Sequence, residues 1–134
     1  MKEDCPTCIL SLPLIEAAHR AFGGAIDVWA IAQDEAATRA LLIERGGLTL
    51  PVLDDSALHI SYAWDLDTVP TIILADGGGA ELRQFVGFGR ADWQALFAEM
   101  SAISGVSAPS IDWTPYPEMR PGCGSKSVEP GTAE

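Results

Sequence analysis

The sequence predicts a mixed α/β domain from the alternation of two apolar patterns. Short apolar runs, typical of buried strands, occur at residues 26–31, 71–75 and 81–86. Apolar residues with helical spacing occur at residues 8–22, 35–45 and 92–100. Glycine-rich breaks separate these segments, and the glycines at 77–79 lie between two predicted strands as in a hairpin.

Length and charge restrict the classes of function. The chain has 134 residues, of which 48% are hydrophobic, so it can form one domain with a substantial core. Its formal net charge is −11, which argues against binding to nucleic acid or anionic lipid. No apolar stretch is long enough to span a membrane, and charged residues follow Met1 where a signal peptide would need an apolar run. As written, the chain is expected to be cytoplasmic.

Local signals predict how several elements begin and end. Pro13 is expected to kink the first helix, because proline lacks the backbone donor. Asp34 is a candidate N-cap for the helix over residues 35–45, and Ser56 for a short helix that continues to residues 62–64. The last helix should bury one stripe of side chains, Trp93, Leu96, Phe97 and Met100. Trp29 is assigned to the sheet and Trp64 to the core.

A change of composition near Gly105 predicts a domain boundary. Residues 1–104 form the predicted domain, and residues 105–134 a proline- and glycine-rich tail. The tail is expected to be irregular, to wrap onto the domain through Ile111, Trp113 and Tyr116, and then to fray, with prolines as far as Pro130.

Two cysteines at the start of the chain are the strongest chemical signal. Cys5 and Cys8 form a Cys-Pro-Thr-Cys motif at the beginning of the first helix. A thiolate at Cys5 would be stabilised by the helix N-terminus, and Pro6 suits a first-turn position. Asp4 opposes this stabilisation by like-charge repulsion. Cys5 is therefore the candidate nucleophile and Cys8 the resolving thiol.

Several further segments, taken in order, resemble a known family. They are Pro13 within the first helix, residues 29–34 (WAIAQD), residues 50–54 (LPVLD), Val69-Pro70-Thr71, and Asp76-Gly77. Together with the cysteine pair, they resemble the thioredoxin fold, and most closely its redoxin and TlpA-like branch. The resemblance implies a three-layer α/β/α domain with a mixed central sheet, and a thiol–disulfide oxidoreductase.

The resemblance also implies a substrate site. A cis proline at Pro70 would face the cysteines, and the backbone of Val69 would pair with substrate, while Pro6 and Thr7 lie between the two thiols. A trans proline that opens an edge strand is the alternative at Pro70. The expected partners are protein or small-molecule disulfides and dithiols, and a thiol protein that donates or accepts electrons. No organic cofactor is implied, because the thiols carry the electrons.

The chain departs from the family at its start. In this fold a central strand precedes the cysteines, but only residues 1–4 are available here. Either the natural start lies upstream of Met1, where a signal or anchor could also lie, or the strand is truly missing. A missing strand would leave the edges of two neighbouring strands unpaired.

Other residues leave alternatives open. Cys123 is a candidate third redox thiol if the tail folds back, made exposed and acidic by small neighbours and Lys126; a free cysteine in a mobile tail is the alternative. His19 and His59 are expected to be surface or boundary residues. No metal site is predicted, because Cys123 and these two histidines are scattered without a second spaced pair of ligands. Asp54-Asp55 is expected to be a solvated turn.

Three other functions are alternatives to the oxidoreductase. One is a non-catalytic thioredoxin-like binding module or metal carrier, and another is a truncated, inactive fragment. A peroxiredoxin-like peroxidase is disfavoured, because Cys5 stands where that chemistry needs a threonine, three residues before Cys8.

Overall fold

A computed structural model describes residues 1–128 of the chain. Its helices are α1 (Pro6–Phe22), α2 (Ala36–Gly46), α3 (His59–Ala63) and α4 (Arg90–Ser104). Its strands are β1 (Ala30–Ala32), β2 (Val52–Asp54), β3 (Thr68–Val69), β4 (Thr71–Ala75), β5 (Glu81–Val86), β6 (Phe88–Gly89), β7 (Met119–Arg120) and β8 (Cys123–Gly124). A 3₁₀ turn follows at Lys126–Val128. The predicted frayed end with Pro130 lies outside the described residues.

The strands form four separate pairs. β1 and β2 are parallel, with Ala30 opposite Val52. β4 and β5 form the predicted antiparallel hairpin, in which the Asp76 carboxylate accepts the Gly78 and Ala80 amides at the turn. The remaining pairs, β3 with β8 and β6 with β7, are antiparallel and join the tail to the domain.

A groove of about 910 Å³ separates the two main strand pairs. Side chains and backbone of both β1 and β4 line it, and its surface is largely apolar. Of the residues before Cys5, Met1 lines the groove. Its amine donates to the Ile31 carbonyl at 2.8 Å, and its carbonyl accepts the Gln33 amide at 2.9 Å. That pair of bonds is the pattern of a parallel ladder. Among residues 1–128 no strand precedes Cys5.

The core lies between α1, α4 and the strands. The predicted stripe of α4 is buried as expected, and Phe97 packs near Phe22 of α1 with ring centroids 6.4 Å apart. Trp93 meets Phe85 of β5 edge to face at 5.6 Å. Aromatic pairs in these geometries add stabilisation beyond the area that they bury. This cluster holds α4 against α1 and the β4–β5 hairpin.

Two tryptophans do not lie where the sequence suggested. The strand predicted over residues 26–31 is shorter in the structure, where β1 covers Ala30–Ala32. Trp29 therefore lies outside the strand and is 56% exposed. Trp64 follows α3 and is 44% exposed. Both side chains border the groove, where no neighbouring strand covers them.

Two predicted helix caps are wrong, because nearby carboxylates take other partners. Asp34 is buried and accepts the Glu3 amide at 3.0 Å, while Glu35 is the N-cap of α2. At α3 the Asp55 carboxylate accepts the amides of Ile60 at 2.8 Å and Ser61 at 3.0 Å, the role expected of Ser56. Asp55 is therefore a buried capping residue and not part of a solvated turn.

The tail is more regular than the sequence suggested. Ile111, Trp113 and Tyr116 pack against the core as expected, with Tyr116 stacked on Phe88 at 5.7 Å. Beyond them the chain forms β7 and β8 instead of remaining irregular. Gly105 ends α4 in the left-handed conformation, which glycine adopts without steric cost. The division into residues 1–104 and 105–134 stays a prediction.

Glu16 links α1 to the segment before β2. Its carboxylate accepts the Thr49 amide and hydroxyl, both at 2.7 Å, the Leu50 amide at 3.2 Å, and the Arg20 guanidinium at 2.6 Å. Burial opposes ionisation, but these hydrogen bonds outweigh it and lower the pKa of Glu16 to about 2.

Neutralising Glu16 should destabilise the fold in a pH-dependent way. We expect Glu16→Gln to lower the free energy of unfolding at pH 7 by about 2 kcal/mol. Because the folded pKa is depressed, this stabilisation is present above pH 4.5 and disappears as the pH falls toward 2. Urea unfolding at several pH values measures it, with Glu44→Gln on the exposed surface of α2 as control. A loss that does not change between neutral and acidic pH would contradict the assignment.

The groove should accept an added strand. Residues placed before Met1 would continue its parallel pairing with β1, next to the open edge of β4. We expect an extension of about six alternating Val and Thr residues to raise Tm by roughly 5 °C or more. A Gly-Ser extension of equal length is the control, and equal Tm values for the two proteins would refute the expectation.

Candidate active site

The first turn of α1 carries the cysteine pair. Cys5 is the N-cap residue with extended backbone angles, and Pro6 occupies the first helical position. Cys8 follows one turn later, and both cysteines are fully buried. Cys5, Cys8 and Val69 form a small buried cluster. The motif thus lies at the helix N-terminus, where unpaired amide groups favour negative charge.

The proline loop lies directly against Cys5. The Val69–Pro70 peptide bond is cis, and Sγ of Cys5 lies 3.6 Å from the Val69 carbonyl oxygen. The Thr71 hydroxyl donates to the Thr68 carbonyl at 2.6 Å, which closes the loop between β3 and β4. The structure therefore brings together the two segments that the sequence singled out, although about sixty residues separate them in the chain.

Cys8 is the one free cysteine among the described residues. Burial raises the pKa of its thiol, and the nearby carboxylate of Asp34 acts in the same direction. The N-terminal amine and a hydrogen bond with the Lys2 backbone oppose the shift but do not overcome it. In this state Cys8 is a protonated thiol held next to Cys5.

The tail completes the site. Cys123 is disulfide-bonded to Cys5, with Cα atoms 6.0 Å apart across 118 residues. In the β3–β8 pair, Val69 lies opposite Cys123 and Thr68 opposite Gly124. The Thr7 hydroxyl donates to the Pro121 carbonyl at 2.7 Å. All three cysteines and the proline loop therefore meet at one place.

A buried polar network anchors the tail beyond β8. The Gln33 amide group donates to the hydroxyls of Ser61 and Ser125, each at 2.7 Å, and its oxygen accepts the Lys126 amide at 3.0 Å. Ser125 and Ser127 share a hydrogen bond at 2.8 Å. Sequence reasoning noted Gln33 only as part of a family motif and missed its role. A buried glutamine needs several partners, but no local pattern reveals which ones.

Three expectations for individual side chains are corrected by this arrangement. Cys5, as the candidate nucleophile, has to be reachable by a substrate disulfide, but in this state the tail covers it and it is fully buried. Cys123 was expected to be exposed, but it is half-buried and bonded. Lys126 was expected to make Cys123 acidic, but its ammonium group lies 3.6 Å from the Asp34 carboxylate and forms an ion pair there.

Metal ligands do not converge in the described residues. No group of three or more His, Cys, Asp and Glu side chains within residues 1–128 could hold a metal ion. His59 is exposed, as expected, and His19 is half-buried with its Nδ1 atom unpaired. Within the same residues, no helix has the length and apolar character needed to cross a bilayer.

Comparisons with known proteins identify the fold. No family model matches the sequence, and no curated protein matches it. A crystal structure from Chlorobium tepidum that carries the name thiol:disulfide interchange protein DsbE superposes with a TM-score of 0.69. The two chains are 22% identical over 77% of this chain and 74% of the other. The chain has a thioredoxin-like fold.

A second thioredoxin-like structure agrees. StoA from Bacillus subtilis superposes with a TM-score of 0.63 at 20% identity, covering 75% of this chain and 77% of StoA. The predicted thioredoxin-like fold class is thus confirmed. The central sheet is divided into the β1–β2 and β4–β5 pairs, because residues 1–4 form no strand between them.

The buried thiol gives a direct test of the site. With the Cys5–Cys123 disulfide intact, Cys8 is the only thiol that can titrate. We expect its thiolate absorbance in the ultraviolet to appear above pH 9.0, the ordinary value from which burial raises its pKa. Because the folded state holds this proton more tightly, the free energy of unfolding should decrease as the pH rises beyond that value. The signal must vanish in Cys8→Ala, and a midpoint below 9.0 would contradict the buried environment.

Proposed function

We propose that the protein is a thiol–disulfide oxidoreductase in which Cys5 is the nucleophile and Cys8 the resolving thiol. The contact between Cys5 and the Val69 carbonyl is the observation that carries this proposal. It supports a site in which a redox cysteine at a helix N-terminus lies beside backbone that can pair with an extended substrate. Pro6 and Thr7 at the helix start and Pro70 in the loop would border that substrate. One of the two similar structures carries the name of a thiol:disulfide interchange protein, and the other is StoA.

The reaction needs only sulfur chemistry. The Cys5 thiolate attacks one sulfur of a substrate disulfide, and the other substrate sulfur leaves with the electron pair and takes a proton. The Cys8 thiol loses its proton and attacks Sγ of Cys5 in the mixed disulfide. The second substrate thiol leaves, and the Cys5–Cys8 disulfide remains, so the substrate gains the two electrons that the dithiol loses. An external thiol protein would restore the dithiol.

Position along α1 distinguishes the two cysteines, since both are fully buried in this state. Release of the tail would uncover Cys5 at the N-cap position first, because Cys8 lies one turn inside the helix. In the structure with the tail docked, burial raises the pKa of the Cys8 thiol, and a protonated thiol is a poor nucleophile toward outside partners. Side reactions at the resolving thiol are thereby suppressed.

Single substitutions at the two cysteines test this assignment. We expect Cys5→Ser to lower the rate of hydroxyethyl disulfide reduction on the order of a thousandfold or more, because the nucleophile is lost. Cys8→Ser should instead accumulate a mixed disulfide on Cys5, visible by intact mass spectrometry. Circular dichroism of each variant checks that the fold is kept. Full turnover by Cys5→Ser, or no turnover by folded wild type, would disprove the proposed function.

A further inference from the structure

We propose that Cys123 is a third redox-active thiol and that residues 121–125 are a tethered strand that occupies the place of substrate. In this view the Cys5–Cys123 disulfide is one of two interconverting oxidised forms, and the Cys5–Cys8 disulfide is the other. The proposal rests on the proposed function, since it assigns an internal partner to the same nucleophile. It differs from a structural cross-link because it requires the bond to exchange.

The tail makes the backbone pairing expected of a substrate. The family resemblance implies that the main chain of Val69 pairs with substrate. In the structure, Val69 lies opposite Cys123 in the β3–β8 ladder. The adjoining pair is Thr68 with Gly124. An added strand is a common way in which a protein holds an extended peptide. An outside peptide could not pair with Val69 while β8 is docked there.

The residue before Cys123 is shaped for close docking. A Cβ atom added at Gly122 would lie 2.5 Å from the Val69 carbonyl oxygen and 2.7 Å from Cγ2 of Thr68, too close for any side chain. On the other side, the Pro121 carbonyl accepts the Thr7 hydroxyl from within the cysteine motif. By contrast, a Cβ at Gly124 would meet no atom within 4 Å. Glycine is therefore required at 122 but not at 124.

Contacts beyond the disulfide hold the tail in place. The Ser125 amide donates to the Asp67 carbonyl at 2.9 Å, and its fully buried hydroxyl accepts from Gln33. The Ser127 hydroxyl donates to the Leu66 carbonyl at 3.0 Å. Because these contacts do not involve sulfur, they keep Cys123 close to Cys5 even when the bond is open. Such docking raises the effective concentration of one thiol for the other.

The exchange step is balanced within the chain. The Cys8 thiol loses its proton, and its thiolate attacks Sγ of Cys5. The bond between Cys5 and Cys123 breaks, a bond between Cys5 and Cys8 forms, and the electron pair leaves on Cys123, which takes up a proton. The oxidation level is unchanged, so no outside oxidant or reductant is needed. Cys8 is placed for this step, since it shares a buried cluster with Cys5.

Peptide mapping distinguishes the two oxidised forms. Trypsin gives a peptide of residues 3–20, which contains Cys5 and Cys8, and one of residues 91–126, which contains Cys123, because Pro121 blocks cleavage at Arg120. After mild oxidation, acid quenching and alkylation, a Cys5–Cys123 bond joins the two peptides. A Cys5–Cys8 bond stays within the first peptide. We expect wild type to contain both forms, Cys8→Ser only the joined peptides, and Cys123→Ser only the internal bond.

A matched pair of glycine variants tests docking. Gly122→Ala should move the ratio of joined to internal bond about tenfold toward Cys5–Cys8, equal to about 1.4 kcal/mol. Gly124→Ala should leave the wild-type ratio unchanged, because its added methyl group meets open space. Both variants keep all three cysteines. The rate of hydroxyethyl disulfide reduction, measured on the same samples, reports on the proposed function separately.

Defined results would overturn the proposal. If no joined peptide forms in wild type or Cys8→Ser, Cys123 is not a partner of Cys5, even if wild type still turns over substrate. If wild type and both glycine variants show the same ratio of joined to internal bond, the Cys5–Cys123 bond is a fixed cross-link. If the ratio shifts as expected but folded wild type reduces no disulfide, the internal exchange stands and the proposed oxidoreductase function fails.

Discussion

The main-chain pairing of Val69 with Cys123 is the contact on which the site depends. It joins the loop before β4 to a segment more than fifty residues later, and it positions one sulfur beside another that lies at the start of the chain. Closing so long a loop costs conformational entropy, which grows only slowly with length. The buried hydrogen bonds that Gln33 makes with Ser125 and Lys126 offset part of that cost.

Because the sheet is divided, helix packing contributes more to the stability of the domain. Because β1 and β4 do not pair, no continuous hydrogen-bond ladder joins the two main strand pairs within residues 1–128. The aromatic contacts of α4 with Phe22 and Phe85, together with Glu16 on α1, take over part of that role. Packing of the helices therefore helps to hold the two main strand pairs together.

Local patterns in the sequence were enough for much of the fold. The α4 stripe and the β4–β5 hairpin follow from periodicity and glycine placement, which depend on residues close in the chain. The order of motifs also gave the thioredoxin-like fold. The predicted caps at Asp34 and Ser56 were wrong because a capping pattern considers only nearby residues in the chain. Asp34 accepts a distant donor, the Glu3 amide, and the Asp55 carboxylate accepts the α3 amides in place of Ser56.

The site was only partly accessible from sequence, for a related reason. Cys5 and Cys8 lie together in the chain, so their nearness in space needs no tertiary information. Cys123 is different, because its position depends on Gly122 fitting against Val69 and on the hydrogen bonds at Gln33. Composition marked this stretch as irregular, since prolines and glycines suppress helix and strand signals even where a two-residue strand forms. The exposure of Trp29 and Trp64 likewise depends on the groove that they border, which residues close in the chain do not reveal.

The burial of Cys8 has a consequence for the behaviour of the protein in an oxidising solution. Three sulfur atoms cannot all pair within one molecule, and a leftover thiol on the surface would link chains into covalent dimers. Here the leftover group is enclosed and uncharged, so molecules in this state have no sulfhydryl to offer one another among the described residues. In this oxidised form, the odd cysteine count is thus compatible with chains that do not cross-link through Cys8.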